Sequence, residues 1–212
     1  NLNSLVRFDD NGDRLVINNQ GLILYRNLLL SLEVDNFLLE NLIYGLLDWI
    51  DSDNSSINMY GAEDDFYTRL DRPYWTANQL LNNELELANI KNYNTDILKK
   101  ILPYVCVLPE SGISSININT IPKNKPEILM MLFGENLPRE SALQVLNDRP
   151  SEGYLTIEEF VAHPALEELI ESGSIKSYLA LNSNYYLLNS KIISNNHTFI
   201  MNSSLQLLDS GE

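Results

Sequence analysis

The hydrophobic periodicity of the chain changes twice, and this change limits the folds that the sequence can adopt. Residues 1 to 20 contain two short apolar runs on either side of "DDNGD", whose Asn-Gly pair is typical of a hairpin turn. Residues 21 to about 170 follow a helical period, and from about residue 174 the pattern alternates as in strands. This order predicts an α+β fold in which a helical domain is inserted into a domain whose sheet uses both ends of the chain.

The helical block carries recognisable terminal signals. Asp35 is predicted to cap the N-terminus of "NFLLENLIYGLLDWI", an apolar segment that starts at the next residue. Pro126 and Pro138 stand where the first turn of a helix accepts proline, so we expect helical backbone angles at both. Gly134 is predicted to end the first of these two helices.

The segment "ININTIPKNKPEILMMLFGENLPRESALQVLNDRPSEGYLTIEEF" has the order short strand, helix, hairpin, helix, turn, helix. This order resembles a helix-hairpin-helix unit, which in DNA-binding proteins offers backbone N–H groups to phosphate. Its hairpin, "FGENLPRE", contains two glutamates and has no Gly-x-Gly turn. We therefore interpret the unit as a packing module.

The composition excludes several classes of function. The 212 residues carry a net charge of −15, which disfavours binding to nucleic acid or to an anionic membrane surface and suits divalent cations or basic partners. Cys106 is the only cysteine, so no internal disulfide can form, and its apolar flanks predict a buried side chain. We interpret the abundant asparagine as a composition bias. No apolar run reaches the roughly 20 residues of a membrane helix, no signal peptide is visible, and we expect the chain to begin inside a longer natural protein.

Catalytic motifs are missing from the sequence. His163 and His197 are the only histidines, and neither lies in a recognised setting for a nucleophile. The chain also lacks a Gly-rich phosphate loop, an HExxH motif and a CxxC motif. We therefore predict that the protein is not an enzyme.

An acidic stretch, "LLDWIDSDNSSINMYGAEDDFYTRLDRPYW", combines carboxylates with aromatic residues that prefer burial. Asp51, Asp53 and Ser55 have the 1, 3, 5 spacing that turns side-chain oxygens toward one point in a calcium loop. An EF-hand requires Gly at its sixth position and Glu at its twelfth, where this chain has Ser56 and Ala62. The stretch is therefore not an EF-hand.

Two interpretations of this stretch stay open at this point. A hard cation needs six to eight oxygen ligands, and Asp51, Asp53, Glu63 and Asp64 could supply several of them. The same residues could instead form a solvated run of surface charge, which gains little from pairing.

Several separate segments resemble one known family when they are taken in order. They are "NLNSLV", "LLDWIDSDNSSINMYGAEDDFY", "RPYWTANQLLNNELEL", "LPYVCVLPESGISSININTIPKNKPEIL" and "NDRPSEGYLTIEEF". Together they are similar to the K-type minor pseudopilin of the type II secretion system, general secretion pathway protein K. The resemblance runs from residue 1 to about 180, and the final strands match only in pattern.

The resemblance implies a pilin-like α+β fold, in which 1–20 and 174–212 form the pilin-like part and 21–173 form the inserted helical domain. It implies a non-enzymatic subunit at the tip of the secretion pseudopilus, assembled with the I-type and J-type minor pseudopilins. It also implies a periplasmic location on a protein that a long N-terminal apolar helix anchors in the bacterial inner membrane. The bulk of the helical domain would prevent another subunit from stacking above it.

The resemblance also implies structural calcium in the helical domain. Carried onto the matching segments, the expected ligands are Asp51, Asp53, Glu63 and Asp64. A different acidic residue could replace one of them, and the candidates are Asp48, Asp65 and Asp71.

Two other functions remain as alternatives. The first is a binding module that recognises secreted cargo through the acidic helical domain. The second is a hydrolase that uses a pair of carboxylates, which the absence of any catalytic motif disfavours.

Overall fold

A computed structural model describes residues 1–169, 175–195 and 197–207 of the chain. Within them, the α-helices are α1 (Asn19–Ser31), α2 (Asn36–Ile50), α3 (Asp64–Tyr67), α4 (Thr95–Ile101), α5 (Glu127–Phe133), α6 (Arg139–Asn147) and α7 (Ile157–Val161). Short 3₁₀ helices span Leu2–Leu5, Glu84–Asn89, Leu102–Tyr104, Gly134–Asn136, Glu167–Leu169 and Ile175–Tyr178. No helix in these ranges is long and apolar enough to cross a membrane.

The strands form three separate pairs. They are β1 (Val6–Phe8) with β2 (Leu15–Ile17), β3 (Ile116–Asn117) with β4 (Leu179–Ala180), and β5 (Tyr185–Ser194) with β6 (His197–Gln206). The first and third pairs are antiparallel hairpins and the second pair is parallel. The mixture of helices and strands confirms the predicted α+β class, and β1–β2 confirms the hairpin predicted at residues 1 to 20.

The single sheet that was predicted to join both ends of the chain is not present in the described residues. The N-terminal hairpin instead packs into the helical part, because Val6 is fully buried there and Leu15 is 7% exposed. Loops occupy part of the backbone next to these strands: Gly112 donates to the carbonyl of Val6 (2.9 Å), and Ser52 donates to the carbonyl of Leu15 (3.3 Å). The hairpin therefore has partners other than the distant C-terminal strands.

Two hydrophobic cores follow each other along the chain. The first joins the N-terminal segment with α1, α2 and α4, and the second joins α5, α6 and α7 with β3 and β4. Helix α1 serves both cores, since Leu24 packs in the second core and Leu28 and Leu29 pack in the first. The amide of Asn27 on the same helix donates to the carbonyl of Met131 in α5 (3.1 Å), which links the two. The domain boundaries expected at residues 20 and 173 stay a prediction, as does the helix-hairpin-helix interpretation.

The predicted helix ends are confirmed where a local signal defines them. The carboxylate of Asp35 accepts from the backbone N–H of Phe37 and caps α2, and Gly134 ends α5 with φ of 62°. Pro126 and Pro138 each lie one residue before a helix and not inside its first turn. Pro126 has helical angles, but Pro138 has ψ of 152°, so the expectation of helical angles is wrong there. An N-cap residue ordinarily has such an extended ψ.

Two further sequence interpretations have a clear outcome. The acidic turn of the first hairpin uses Asp9 as a turn residue, because its Oδ1 accepts from the backbone N–H groups of Asp13 and Arg14. The prediction that Cys106 is buried is wrong, since its side chain is exposed. Its backbone carbonyl accepts from the N–H of Leu2 (2.8 Å), so the segment is held through the main chain while the side chain points outward.

We expect Gly21→Ala to destabilise the protein. Gly21 lies in the first turn of α1, and a Cβ there would be 1.9 Å from the backbone carbonyl oxygen of Ser4. Because backbone has to move to relieve this overlap, the free energy of unfolding should fall by about 1–3 kcal/mol. Urea denaturation measures it.

Gly45→Ala is the matched control, because it makes the same change in the middle of α2. A Cβ at Gly45 would meet its nearest atoms at 3.5 and 3.6 Å, which is ordinary contact. Alanine favours a helix over glycine by up to about 1 kcal/mol, so this variant should be neutral or more stable. Equal stability of the two variants would contradict the close contact between α1 and the backbone of Ser4.

Candidate metal centre

Helix α2 delivers two carboxylates into the first core. Asp48 lies in its last turn and is 0% exposed, and Asp51 follows the helix as its C-cap and is 5% exposed. The two are three positions apart, so they lie on the same side of the helix. A helix C-terminus carries partial negative charge, which makes it an unfavourable place for two buried acids.

The loop from 51 to 63 brings two more acids to this helix end. Glu63 is the N-cap residue of α3 and is 2% exposed, while Asp53 is exposed. Asp51, Asp53 and Glu63 can each direct one carboxylate oxygen to a common point, with these oxygens within 4.8 Å of one another. Three of the four predicted ligands are therefore brought together.

The fourth predicted ligand, Asp64, is engaged elsewhere. Its Oδ1 accepts from the backbone N–H and the hydroxyl of Thr76, at 2.9 and 2.8 Å. Its Oδ2 accepts from the side-chain amide of Asn54 at 3.2 Å. Asp64 thus connects the loop at 51–63 with the segment that follows α3.

Asp48, and not Asp64, is the fourth acid of the cluster, and it is buried. Its oxygens do not converge with those of Asp51, Asp53 and Glu63. Its Oδ1 accepts from the backbone N–H of Ile57 at 3.1 Å. Asp48 was one of the three possible replacements expected from the sequence, and its spacing of three residues from Asp51 on a predicted helix is the signal that favours it over the other two.

The oxygens of this cluster are short of hydrogen-bond donors. Among the described residues, no donor reaches Oδ2 of Asp48, Oδ1 of Asp51 or either carboxylate oxygen of Glu63, and all four atoms are buried. A buried carboxylate without partners is costly, because it loses its hydration without replacement. Either a proton or a cation is needed to offset this cost.

The pKa values of the three buried acids are raised, which shows the same lack of partners for their charged forms. Burial first, and repulsion from Asp48 second, raise the pKa of Glu63 to about 8. Burial first, and the nearby charges of Asp53 and Asp48 second, raise the pKa of Asp51 to about 7. Burial also raises the pKa of Asp48.

The donor set fits a hard divalent cation. All the converging atoms are carboxylate oxygens, which suit Ca²⁺, and the site has neither the imidazole nor the thiolate ligands that transition metals prefer. Three acids are fewer than the six to eight oxygens that calcium takes, so backbone carbonyls and water would complete the shell. The orphaned buried oxygens of Asp51 and Glu63 are the observation that supports this fit.

Aromatic side chains pack beside the cluster, as the sequence predicts. The rings of Trp49 and Tyr67 meet edge to face with centroids 5.3 Å apart, and Trp49 and Tyr74 meet at 6.1 Å. Phe66 lies 5.1 Å from Tyr67. These rings close the core on one side of the carboxylates, which limits access of water to them.

Comparison with protein families gives two matches. Models described as type II secretion system, protein K, match residues 1–110 and residues 116–182. The first match covers the residues of the first core, and the second covers most of the second core. The boundary between the matches therefore lies where the chain passes from one core to the other.

Individual relatives agree with the family models. The chain is 35% identical to the type II secretion system protein K of Aeromonas hydrophila over 73% of its length, and 32% identical to the putative protein K of Escherichia coli K12 over 92%. These alignments cover 47% and 59% of the relatives, so the chain spans about half the length of the curated relatives it matches.

A solved structure is also similar to this chain. It is the crystal structure of the GspK-GspI-GspJ complex from the enterotoxigenic Escherichia coli type 2 secretion system. The match has a TM-score of 0.80 and 28% sequence identity, and it covers 96% of this chain and 69% of the matched one.

We expect the calcium-free protein to lose stability as the pH rises from 5 to 8. Asp51 and Glu63 have folded-state pKa values of about 7 and 8, above their ordinary values of 3.8 and 4.5. The folded state therefore holds protons that the unfolded state has released, and its advantage is lost as the pH rises through the folded pKa values. One pKa unit corresponds to about 1.4 kcal/mol, so the two carboxyls together should lower the unfolding free energy by up to about 6 kcal/mol over this range.

Urea denaturation with EDTA at several pH values measures this slope, and Glu63→Gln should make it shallower. The carboxyls whose pKa is lowered, Asp9 and Glu40, change charge below this pH range and do not obscure it. A stability that stays flat or rises between pH 5 and 8 would contradict the burial of these acids.

Proposed function

The chain belongs to the type II secretion system protein K family, and we propose that it acts as a minor pseudopilin at the tip of the secretion pseudopilus. The observation that carries this proposal is its similarity, over nearly its whole length, to a chain in the GspK-GspI-GspJ complex. In this role it starts or caps the fibre that moves proteins across the outer membrane.

The proposed partners are the I-type and J-type minor pseudopilins. The similar structure is the GspK-GspI-GspJ complex, and the similar fold of this chain supports the same place for it in such a complex. We place this assembly in the periplasm, on a protein anchored in the bacterial inner membrane.

The bulk of the helical part supports a position at the tip. Helices α1 to α7 and the loops between them occupy residues 19–161, and both hydrophobic cores are built largely from them. A fibre subunit in the middle of the stack needs a free surface above and below it. A subunit with this much added volume would block the next one and so ends the fibre.

A structural role fits the chemistry better than catalysis does. Nε2 of His163 donates to the carboxylate of Asp148 at 3.2 Å, since its Nδ1 accepts from the backbone N–H of Ala165. No nucleophile completes a catalytic arrangement with His163 among the described residues. The acid cluster at the end of α2 binds a cation rather than a substrate in this proposal.

Calcium is the cation that we propose for that cluster. Asp51 and Asp53 at the start of the loop and Glu63 at its end are the ligands. Asp64 is bound to the same loop through Asn54 and to the segment after α3 through Thr76. The ion offsets the buried negative charge and fixes a loop that has little apolar packing of its own. Calcium thus stabilises the fold and takes part in no reaction.

Cargo recognition is the second candidate function. It is favoured by large apolar side chains that stand exposed on the acidic helical part: Met59 is 85% exposed and Trp75 is 70% exposed. Exposed aromatic and methionine side chains are typical of binding surfaces.

Mixing the protein with the I-type and J-type pseudopilins of its own bacterium tests the leading proposal. We expect a stable complex of the three proteins in size-exclusion chromatography. If the three proteins elute separately, while the chain retains a secreted protein of the same bacterium in a pull-down, the cargo-binding alternative replaces it.

We expect calcium to raise the thermal stability of the protein and magnesium to have little effect. An ion that binds only the folded state adds about 2.7 kcal/mol at a hundredfold excess over its dissociation constant, which corresponds to a shift of about 5–10 °C for a chain of this size. Asp51→Asn and Glu63→Gln should reduce this shift. Differential scanning calorimetry in calcium, magnesium and EDTA measures it.

Asp65→Asn is the matched control for these variants. Asp65 follows the cluster directly in sequence, but its side chain is 71% exposed and lies 3.7 Å from Arg69. Its loss removes the same charge without touching the cluster, so the calcium shift should stay. An equal shift in the wild-type protein and in Asp51→Asn and Glu63→Gln would contradict the proposed ligands.

A further inference from the structure

Asp48 is the most deeply buried acid of the described chain that lies outside the convergent group of three. It is 0% exposed, it lies at the negative end of α2, and its Oδ2 accepts no hydrogen bond from the described residues. A carboxylate in such a place is retained at a cost to stability. The packing of the apolar core does not require an acid there, so the reason lies in what Asp48 contacts.

Asp48 contacts the middle of the loop at 51–63. Its Oδ1 accepts from the backbone N–H of Ile57, halfway between the acids that begin the loop and the acid that ends it. This bond fixes the point at which the loop turns back toward Glu63.

The other end of the same loop is shaped around Asp48. A Cβ at Gly61 would lie 1.9 Å from Oδ2 of Asp48 and 2.7 Å from its Cγ, so no larger residue fits without displacing the carboxylate. The φ angle of Gly61 is not in the positive region, so its backbone conformation does not require glycine. The close approach of Asp48 is the reason for a glycine at this position.

Gly61 is held on its other side as well. Its carbonyl accepts from the ammonium group of Lys91 at 3.1 Å, and its N–H donates to the carbonyl of Asn58 at 3.2 Å. The ammonium group of Lys91 also lies 4.8 Å from the centre of the Phe66 ring. Lys91 and Asp48 therefore clamp the backbone of the loop two residues before Glu63.

We infer that Asp48 and Gly61 form a positioning pair for the cation site: Asp48 fits against the bare backbone of Gly61 and holds the returning arm of the loop, so that Glu63 meets Asp51 and Asp53. Asp48 acts through the loop and does not ligate the ion. This inference rests on the proposed calcium site and adds two residues that the convergent group does not contain.

Four variants test the pair. Asp48→Asn keeps an acceptor for Ile57 and removes the charge, and Asp48→Ala removes the whole group. Gly61→Ala displaces the carboxylate, and the double variant Asp48→Ala with Gly61→Ala removes the group that the new methyl would meet. Isothermal titration with calcium gives the dissociation constant, and calorimetric melting in EDTA gives the stability without calcium.

Asp48→Asn should raise the melting temperature in EDTA, because an unpaired buried charge is removed, and should retain much of the calcium affinity, because the acceptor for Ile57 and the shape of the side chain stay. Asp48→Ala should weaken calcium binding at least about tenfold, because nothing then holds the loop at Ile57. Gly61→Ala should weaken binding by a similar factor and lower the melting temperature in EDTA. In the Asp48→Ala background, Gly61→Ala should cost much less stability, because contacting residues are not additive. Asp65→Asn again serves as the control and should bind as the wild type does.

The outcomes separate this inference from the proposed function. A wild-type protein that binds no calcium overturns both. A wild-type protein that binds calcium, together with an Asp48→Ala variant that binds equally well, overturns the positioning role alone. An Asp48→Asn variant that loses as much affinity as Asp48→Ala also overturns it, because the charge of Asp48 and not its contact with the loop would then matter. Equal costs of Gly61→Ala in the two backgrounds would show that the glycine is not there for Asp48.

Discussion

The burial of three carboxylates at the C-terminal end of α2 is the constraint around which the first half of the structure is arranged. The apolar residues of α2 decide this burial, since Leu46, Leu47 and Ile50 are fully buried and turn the helix end into the core. Asp48 and Asp51 are carried inward with them. Repulsion between acids in a site of low polarity is strong, and partners or a counter-charge have to offset it.

Hydrogen bonds between polar groups hold the chain segments around these carboxylates. The segments at 51–63 and 68–83 contain no helix or strand, and hydrogen bonds from side chains hold them. Asp64 binds Thr76, Asn78 donates to Asn54, and Lys91 donates to Gly61. A region held in this way gains less from hydrophobic burial than a helix does, so the proposed ion would have a large effect on its order.

The sequence predicts elements that are defined locally and misses those defined by distant contacts. The cap of α2 by Asp35 and the first hairpin were predicted, because the signal for each lies within a few residues. The parallel pairing of β3 with β4 joins residues more than 60 positions apart, and no local pattern identifies it. The acid cluster at the end of α2 shows both sides: Asp51, Asp53 and Glu63 were predicted to lie together and do so, but the engagement of Asp64 with Thr76 depends on tertiary packing. That the cluster binds a metal stays a prediction.

The structural role of asparagine was not predicted from the sequence, because its abundance was interpreted as a composition bias. Asn3 is fully buried, and its amide exchanges hydrogen bonds in both directions with Leu81 while it also donates to Leu108. Asn119 does the same with Tyr154, 35 residues away, and its amide lies where a Cβ on Gly153 would be only 2.9 Å away. Each such amide satisfies backbone groups that no helix or strand pairs.

These observations together explain how a chain with one exposed cysteine keeps long irregular segments in place. A disulfide is not available to it, and its loops are too polar to be held by a core of their own. Buried amides fix the segments whose unpaired groups are neutral, as Asn3 does near the start of the chain. Where the unpaired groups are carboxylates, an amide can donate hydrogen bonds but cannot balance charge, whereas a cation coordinates the oxygens and balances their charge. The end of α2 is therefore the place where the proposed calcium ion would supply what the side chains of the described residues do not.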